Sequence, residues 1–301
     1  MDLLHFSGPL GLIEAALCPL GSVMLLVLCG LLISGRRVTP IITAAILAAP
    51  MGIGSLGVWM GEQMLFEVIA HASAETRQTL MAVGISQTLS LRLMSGGVVT
   101  ILASITLLGC AVAGARGGPR GKGVPIAVVL LSLLISALVV TGGVLTDNLI
   151  GAMMRGGLYL LGGILTAAAL LNTDKDSAGM QAGASAALAL PMLVAGAEVF
   201  SMASAGRQAF EVVAYASAET KGPLLMQGLE LVKQQEVLAL AAVGFAVVVA
   251  IIGAVRTLEG SLRDVGIVCA LAYCLLTPLW LSVDATLAFE ALIQTFTALE
   301  Q

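Results

Sequence analysis

Apolar residues in this chain run in long unbroken stretches, and polar residues gather between them. A helix that crosses a bilayer needs about 20 consecutive apolar residues. Stretches of that kind fall at about 12–34, 40–60, 91–114 and 124–146, and again at about 152–172, 182–204, 235–255 and 265–283. The pattern predicts about eight transmembrane helices. Between them lie Gly35, Arg36 and Arg37, a more polar stretch over 61–90, the basic loop 115–123 (ARGGPRGKG), the loop 172–177 (NTDKDS) and the loop 256–264 (RTLEGSLRD). The tail 284–301 is amphipathic and too short to span.

The order of elements occurs twice. Residues 66–77 (FEVIAHASAETR) return at 210–221 (FEVVAYASAETK), and the exceptions to identity are Ile69/Val213, His71/Tyr215 and Arg77/Lys221. Phe66 and Phe210 are 144 positions apart, and the same offset joins Gly84 to Gly228 and Gly109 to Gly253. Similarity at one fixed offset signals duplication. The expected fold is therefore all-α and polytopic, built as two tandem four-helix repeats, 1–150 and 151–301. An even number of crossings per repeat makes the copies parallel, related by an axis along the membrane normal.

Composition agrees with a lipid environment. The chain is 58% hydrophobic and 11% charged, with a mean hydropathy of +1.03, whereas a soluble chain carries roughly 25% charged residues. Lipid supplies no hydrogen bonds to the backbone, so helices or closed barrels are required, and continuous apolar runs select helices. A net charge of −4 does not suggest a nucleic-acid surface. Cys18, Cys29, Cys110, Cys269 and Cys274 lie in or beside apolar runs without metal-type spacing, and read as small core residues. The start, MDLLHFSGPLG, lacks a basic segment of the signal-peptide kind.

Lys and Arg in short loops orient a membrane protein. Arg36, Arg37, Arg116, Arg120, Lys122, Lys175, Arg256 and Arg263 fall on one side, in very short connections. Arg77, Arg92, Arg155, Arg207, Lys221 and Lys233 fall on the other. The first side is expected in the cytoplasm of an inner-membrane protein, with the termini and both ASAET segments outside.

Ionisable groups inside apolar helices point to function, because each is costly in hydrocarbon or finds a partner. Glu198 stands within PMLVAGAEVF. It reads either as a protonatable relay group or as a neutral acid bonded to a neighbouring helix. Arg92 and Glu236 are 144 positions apart. Packing about a pseudo-twofold would bring them together as an ion pair, serving as a gate, an ion path or a lock between repeats; alternatively each sits at the outer boundary in water. Glu67 and Glu75 recur as Glu211 and Glu219. Helical spacing would place Glu67, His71 and Glu75 on one side of an outer interfacial or re-entrant helix, either to attract cations or a partner or as a plain solvated face. The glycines, with Pro50 and Pro191, favour close packing and kinks, and Trp59 and Trp280 suit an aromatic belt. No phosphate loop, nucleophile elbow or zinc spacing occurs, so neither enzyme activity, a cofactor nor a bound metal is expected.

Residues 49–61 read APMGIGSLGVWMG and residues 78–89 read QTLMAVGISQTL, followed by a glycine-rich apolar helix. This resembles the MotA/TolQ/ExbB proton-channel family, in which an Ala-Pro, a Gly-rich segment and Val-Trp-Gly share one helix. In that family a short outer loop, Gly-Ile-Ala-Glu-Ala-Leu and a small-residue helix follow. The resemblance covers about 49–115 and, more faintly, 190–257. Gln87 and Leu231 stand where the family carries Glu, Arg92 falls near its channel-lining Thr, and its large cytoplasmic domain is reduced to the few residues around Arg36. The resemblance implies an inner-membrane homo-oligomer, solvated by lipid, around single-pass partner helices that supply the essential carboxylate. Two other readings stand beside it: a non-conducting structural subunit of a larger complex, and a small-solute carrier built from parallel repeats.

Overall fold

The computed structural model describes residues 8–36, 38–72, 74–115, 123–145, 149–171, 178–258 and 260–278. Among these residues there is no strand. The helices are α1 (Gly8–Ile33), α2 (Pro40–Ala70), α3 (Ala74–Ala115), α4 (Gly123–Leu145), α5 (Leu149–Ala169), α6 (Ala178–Tyr215), α7 (Ala218–Thr257) and α8 (Gly260–Pro278). Six contain a stretch long and apolar enough to cross a membrane: Ala16–Ile33, Pro40–Leu65, Ala82–Ala115, Pro125–Gly142, Leu149–Ala169 and Ala178–Val213. The chain is all-α and of multi-pass membrane type. The other two expected crossings are described in part. In α7 the described side chains give an apolar stretch over Ala239–Val255. The expected span 265–283 begins in α8 and ends outside the described residues, as do the tail 284–301 and the loops 116–122 and 172–177.

The polar stretch 61–90 is not a separate outer helix. It is the tip of a helical hairpin, in which α2 continues to Ala70 and α3 begins at Ala74. With 42 residues, α3 is about 63 Å long at about 1.5 Å per residue, roughly twice the hydrocarbon thickness of about 30 Å. The second ASAET behaves alike. There α6 ends at Tyr215, Ser217 takes an extended backbone (φ −67°, ψ 155°) as N-cap, and α7 starts at Ala218. The Ser217 hydroxyl lies 2.9 Å from that of Thr220, and the Thr220 N–H donates to the Ser217 carbonyl at 3.0 Å. The Ser217 side chain makes no capping hydrogen bond, and a glutamate in the first turn suits the positive end of the new helix. This corrects the expected single acidic face. The helix ends at Ala70, so Glu67 and Glu75 belong to different arms of the hairpin and His71 lies in the turn.

Glycine contacts give the helix directions. Gly61 faces Thr88 and Gly84 faces Leu65, so α2 and α3 are antiparallel. Gly96 and Gly97 of α3 meet Gly196 and Phe200 of α6, and Thr100 again meets Gly196, also antiparallel. Gly183 faces Thr257 and Gly253 faces Ala187, which makes α7 antiparallel to α6. Gly21 against Leu102 and Gly109 against Cys29 run α1 parallel to α3. Both hairpin tips therefore come to one end of the bundle. Ala82, Ile85 and Leu89 of α3 pack there with Phe210 and Val213 of α6, joined by Leu65 and Leu224.

Helix α6 is the hub. Of its Ala178–Val213 stretch, 89% is buried, against 22% for the stretch in α1, and it packs on α3, α5, α7 and α2. Its sequence explains this. The run from Ala182 to Ala189 is Ala and Gly apart from Ser185 and Leu188, and small side chains let helix backbones approach closely where lipid offers no hydrophobic drive to associate. One polar staple reaches it from outside, the Val38 N–H donating to Gln181 Oε1 at 2.6 Å. The tightest approach is at Gly96, where an added Cβ would sit 2.7 Å from the Phe200 nitrogen and 2.8 Å from the Gly196 oxygen. Those atoms are backbone and cannot rotate away. Gly96→Ala should therefore lower stability by about 1–3 kcal/mol. At Gly97 a Cβ would meet only the Phe200 ring, at 3.5 Å, so Gly97→Ala should be near neutral. Far-UV circular dichroism of detergent-solubilised variants during thermal unfolding measures both; equal midpoints would remove the backbone crossing as a determinant.

Candidate intramembrane charge cluster

Glu198 lies near the middle of the apolar part of α6 and is 2% exposed. Two residues of α5, one turn apart, reach it. The Tyr159 hydroxyl donates to Glu198 Oε1 at 2.6 Å, and Arg155 Nε stands 3.7 Å from the same oxygen. Arg155 Nη1 donates to the Ser201 hydroxyl, one turn along α6. The register is that of antiparallel helices. Positions 155 and 159 share one face of α5, positions 198 and 201 share one face of α6, and each near end meets the other's far end. Tyr159 is buried, while Arg155 keeps 14% of its side chain exposed. Its Nε is buried and makes a charge contact rather than a hydrogen bond.

In a low dielectric a lone carboxylate or guanidinium is very costly, and the pair together is tolerable only with additional hydrogen bonds. Tyr159 and Ser201 supply those bonds, one to each charge. The cluster thus holds opposite charges, a phenol and a hydroxyl near the middle of the apolar stretch of α6.

The neighbouring hydroxyls on α3 are occupied differently. Thr88, Ser95, Thr100, Ser104 and Thr106 each donate to a backbone carbonyl three or four residues earlier in their own helix, as polar side chains in apolar helices do. They do not form a line of open donors. On α4, Ser136 similarly bonds back to Ser132, and it also donates to the Gly156 carbonyl of α5 at 2.7 Å.

The other sequence candidates are described in part. Arg92 is 4% exposed within α3. The side chain of Glu236 lies outside the described residues, and α6 packs between the two helices that carry them, α3 and α7. Glu67 and Glu211 are exposed near the hairpin tips, and the side chains of Glu75 and Glu219 lie outside the described residues. Gln87 lines a cavity of about 100 Å³ together with Ser86, Ser90, Arg207, Glu211 and Tyr215. That cavity is between α3 and α6, nearer the tips than Glu198.

Sequence reading identified Glu198 but missed both of its α5 partners, having placed Arg155 at the outer boundary. The available signal was an Arg inside an apolar stretch followed one turn later by Tyr. No family model matches the chain, no curated protein matches it, and no solved structure matches it.

Removing one partner of the buried pair strands the other. Glu198→Ala should cost about 3–5 kcal/mol, and Tyr159→Phe about 1.5–3 kcal/mol. Arg155→Leu combined with Glu198→Leu should regain most of the loss, because an apolar pair carries no stranded charge. Denaturation by SDS of the three variants in mixed micelles decides this; a double variant no better than Glu198→Ala alone would refute the pairing.

Proposed function

We propose that this chain is an ion-channel or energiser-like subunit of an inner membrane, conducting or coupling protons, which assembles as a homo-oligomer around single-pass partner helices. In this reading the two copies at 1–150 and 151–301 are parallel four-helix repeats with eight crossings. The basic connections face the cytoplasm, and the hairpin tips carrying Glu67, Glu75, Glu211 and Glu219 project outside. The observation that carries the proposal is the charge cluster of Glu198, Arg155, Tyr159 and Ser201 at mid-depth of the most buried helix. Support comes also from the two long helical hairpins brought together at one end, and from the resemblance of residues 49–115 to the MotA/TolQ/ExbB family.

A second reading, a non-conducting structural subunit of a larger complex, is favoured by one specific observation: the α3 hydroxyls are turned back on their own helix, and Glu198 already has its partners within the chain. The two readings separate experimentally. The tagged chain is purified from its native membranes and reconstituted, together with whatever copurifies, into liposomes holding a pH-sensitive dye. The energiser reading expects a stoichiometric single-span protein with an acidic residue in its span. It also expects proton flux that falls about a hundredfold, on the scale of lost acid–base participation, in Glu198→Gln. An intact assembly that passes no protons, or passes them equally in Glu198→Gln, leaves the structural reading.

A further inference from the structure

The surroundings of Glu198 differ in the two directions along α6. Towards the hairpin tips, Ser201, Ser204, Gln208, Glu211 and Tyr215 follow it at steps of three or four. Steps of that size keep to one side of a helix. Exposure rises along the series: Ser201 and Ser204 are half-buried, Gln208 and Glu211 are exposed. Helix α5 leaves this side early, since Leu149, its first residue, is only six positions before Arg155. The Arg155 guanidinium is drawn the same way, because its Nη1 donates to Ser201, one turn nearer the tips than Glu198. A cation in an apolar bundle turns its head towards water.

The series ends at the small cavity between α3 and α6 lined by Ser86, Gln87, Ser90, Arg207, Glu211 and Tyr215. Its height in the membrane follows from α3. At the other end of that helix Ala115 is followed at once by Arg116, and a charge holds that end at the boundary. Gln87 is 28 residues from Ala115, about 42 Å at about 1.5 Å per residue, beyond a hydrocarbon layer of about 30 Å. The cavity therefore opens among headgroups and water, not among acyl chains.

The opposite direction is shut. One turn beyond Tyr159, Gly162 of α5 is pressed on both α6 and α3. An added Cβ there would sit 2.6 Å from Leu193, 3.1 Å from Leu190 and 3.6 Å from Leu107. From Ala182 to Val199 every residue of α6 is buried, and the polar side chains are those of Ser185 and Glu198. A buried water needs room and polar partners, and the stretch below Glu198 offers neither.

We infer that the Glu198 cluster is open to water from the hairpin end alone. The route is a half-channel that enters at the Gln87–Arg207 cavity, passes Ser204 and Ser201, and stops at the seal of Leu107, Leu190 and Leu193. The inference deepens the reading of Glu198 above and rests on it for the ionisable role, but the route holds whether or not protons cross. A proton taken up at Glu198 returns to the side it came from unless the seal opens.

Thiol accessibility in native-membrane vesicles of both orientations tests it. The five native cysteines are replaced by alanine, and Ser201→Cys, Leu193→Cys and Ala72→Cys are introduced singly. Ala72, in the first hairpin turn, reports which face carries the tips. A small membrane-impermeant methanethiosulfonate should modify Ser201→Cys fully from the face that labels Ala72→Cys, and not from the other. Leu193→Cys should stay unmodified from both faces and react only after denaturation in SDS. Ser201→Cys that stays unmodified, or that reacts only with a lipid-soluble maleimide, overturns the route. Leu193→Cys modified from either face of the folded protein overturns the seal and the inference with it. Should Ser201→Cys fail to insert, Ser204→Cys, one turn nearer the tips, takes its place. Should the cysteine-free chain fail, the same variants of the native chain are read against its unsubstituted background. One-sided labelling without proton flux would remove the energiser reading and leave the half-channel, and flux without labelling at 201 would do the reverse.

Discussion

Where α3 and α6 cross, the backbone at Gly96 comes so near to Gly196 and Phe200 that a single methyl group would collide with it. Most of the architecture follows from that approach. With no hydrophobic drive between helices in lipid, association depends on dispersion contacts, which fall off steeply with distance. Two backbones in contact gather many such contacts at once. The crossing seats α6 in the centre, and the alanine-rich run from Ala182 to Ala189 lets α7, at Gly253, and the end of α5, at Ala169, approach it closely on other sides.

The same hub explains why the polar chemistry is concentrated in one place. Glu198 is two residues from Gly196, so the helix that is held most tightly also carries the buried acid. A charge at that depth requires an opposite charge from a neighbour whose position is equally well held. Helix α5 provides it, anchored nearby by Gly162 against Leu190 and Leu193 of α6. Along α3 the hydroxyls of Thr88, Ser95, Thr100, Ser104 and Thr106 are satisfied by their own helix.

Phe210 and Val213 pack at the joint between the hairpins, while Leu56, Trp59 and Met60 of α2 are exposed.

From the residues alone it follows that the chain is helical and lipid-embedded and that Glu198 is an acid in an apolar helix in need of a partner. Both are local properties: run length and a charge in an apolar context. The break in the helix at the ASAET segments was not read, because helical spacing alone carries Glu67, His71 and Glu75 onto one side. The partner itself was not legible. Arg155 and Tyr159 are about 40 residues away from Glu198, and which helix neighbours which depends on the shapes of facing surfaces. Nor could the lipid-facing and interior sides be separated beforehand. Leu188 is buried on α6 and Leu130 is exposed on α4, yet both stand in equally apolar runs. In water the contrast between polar and apolar faces reveals which side is inside; in a membrane both sides are apolar, so only close packing in three dimensions decides.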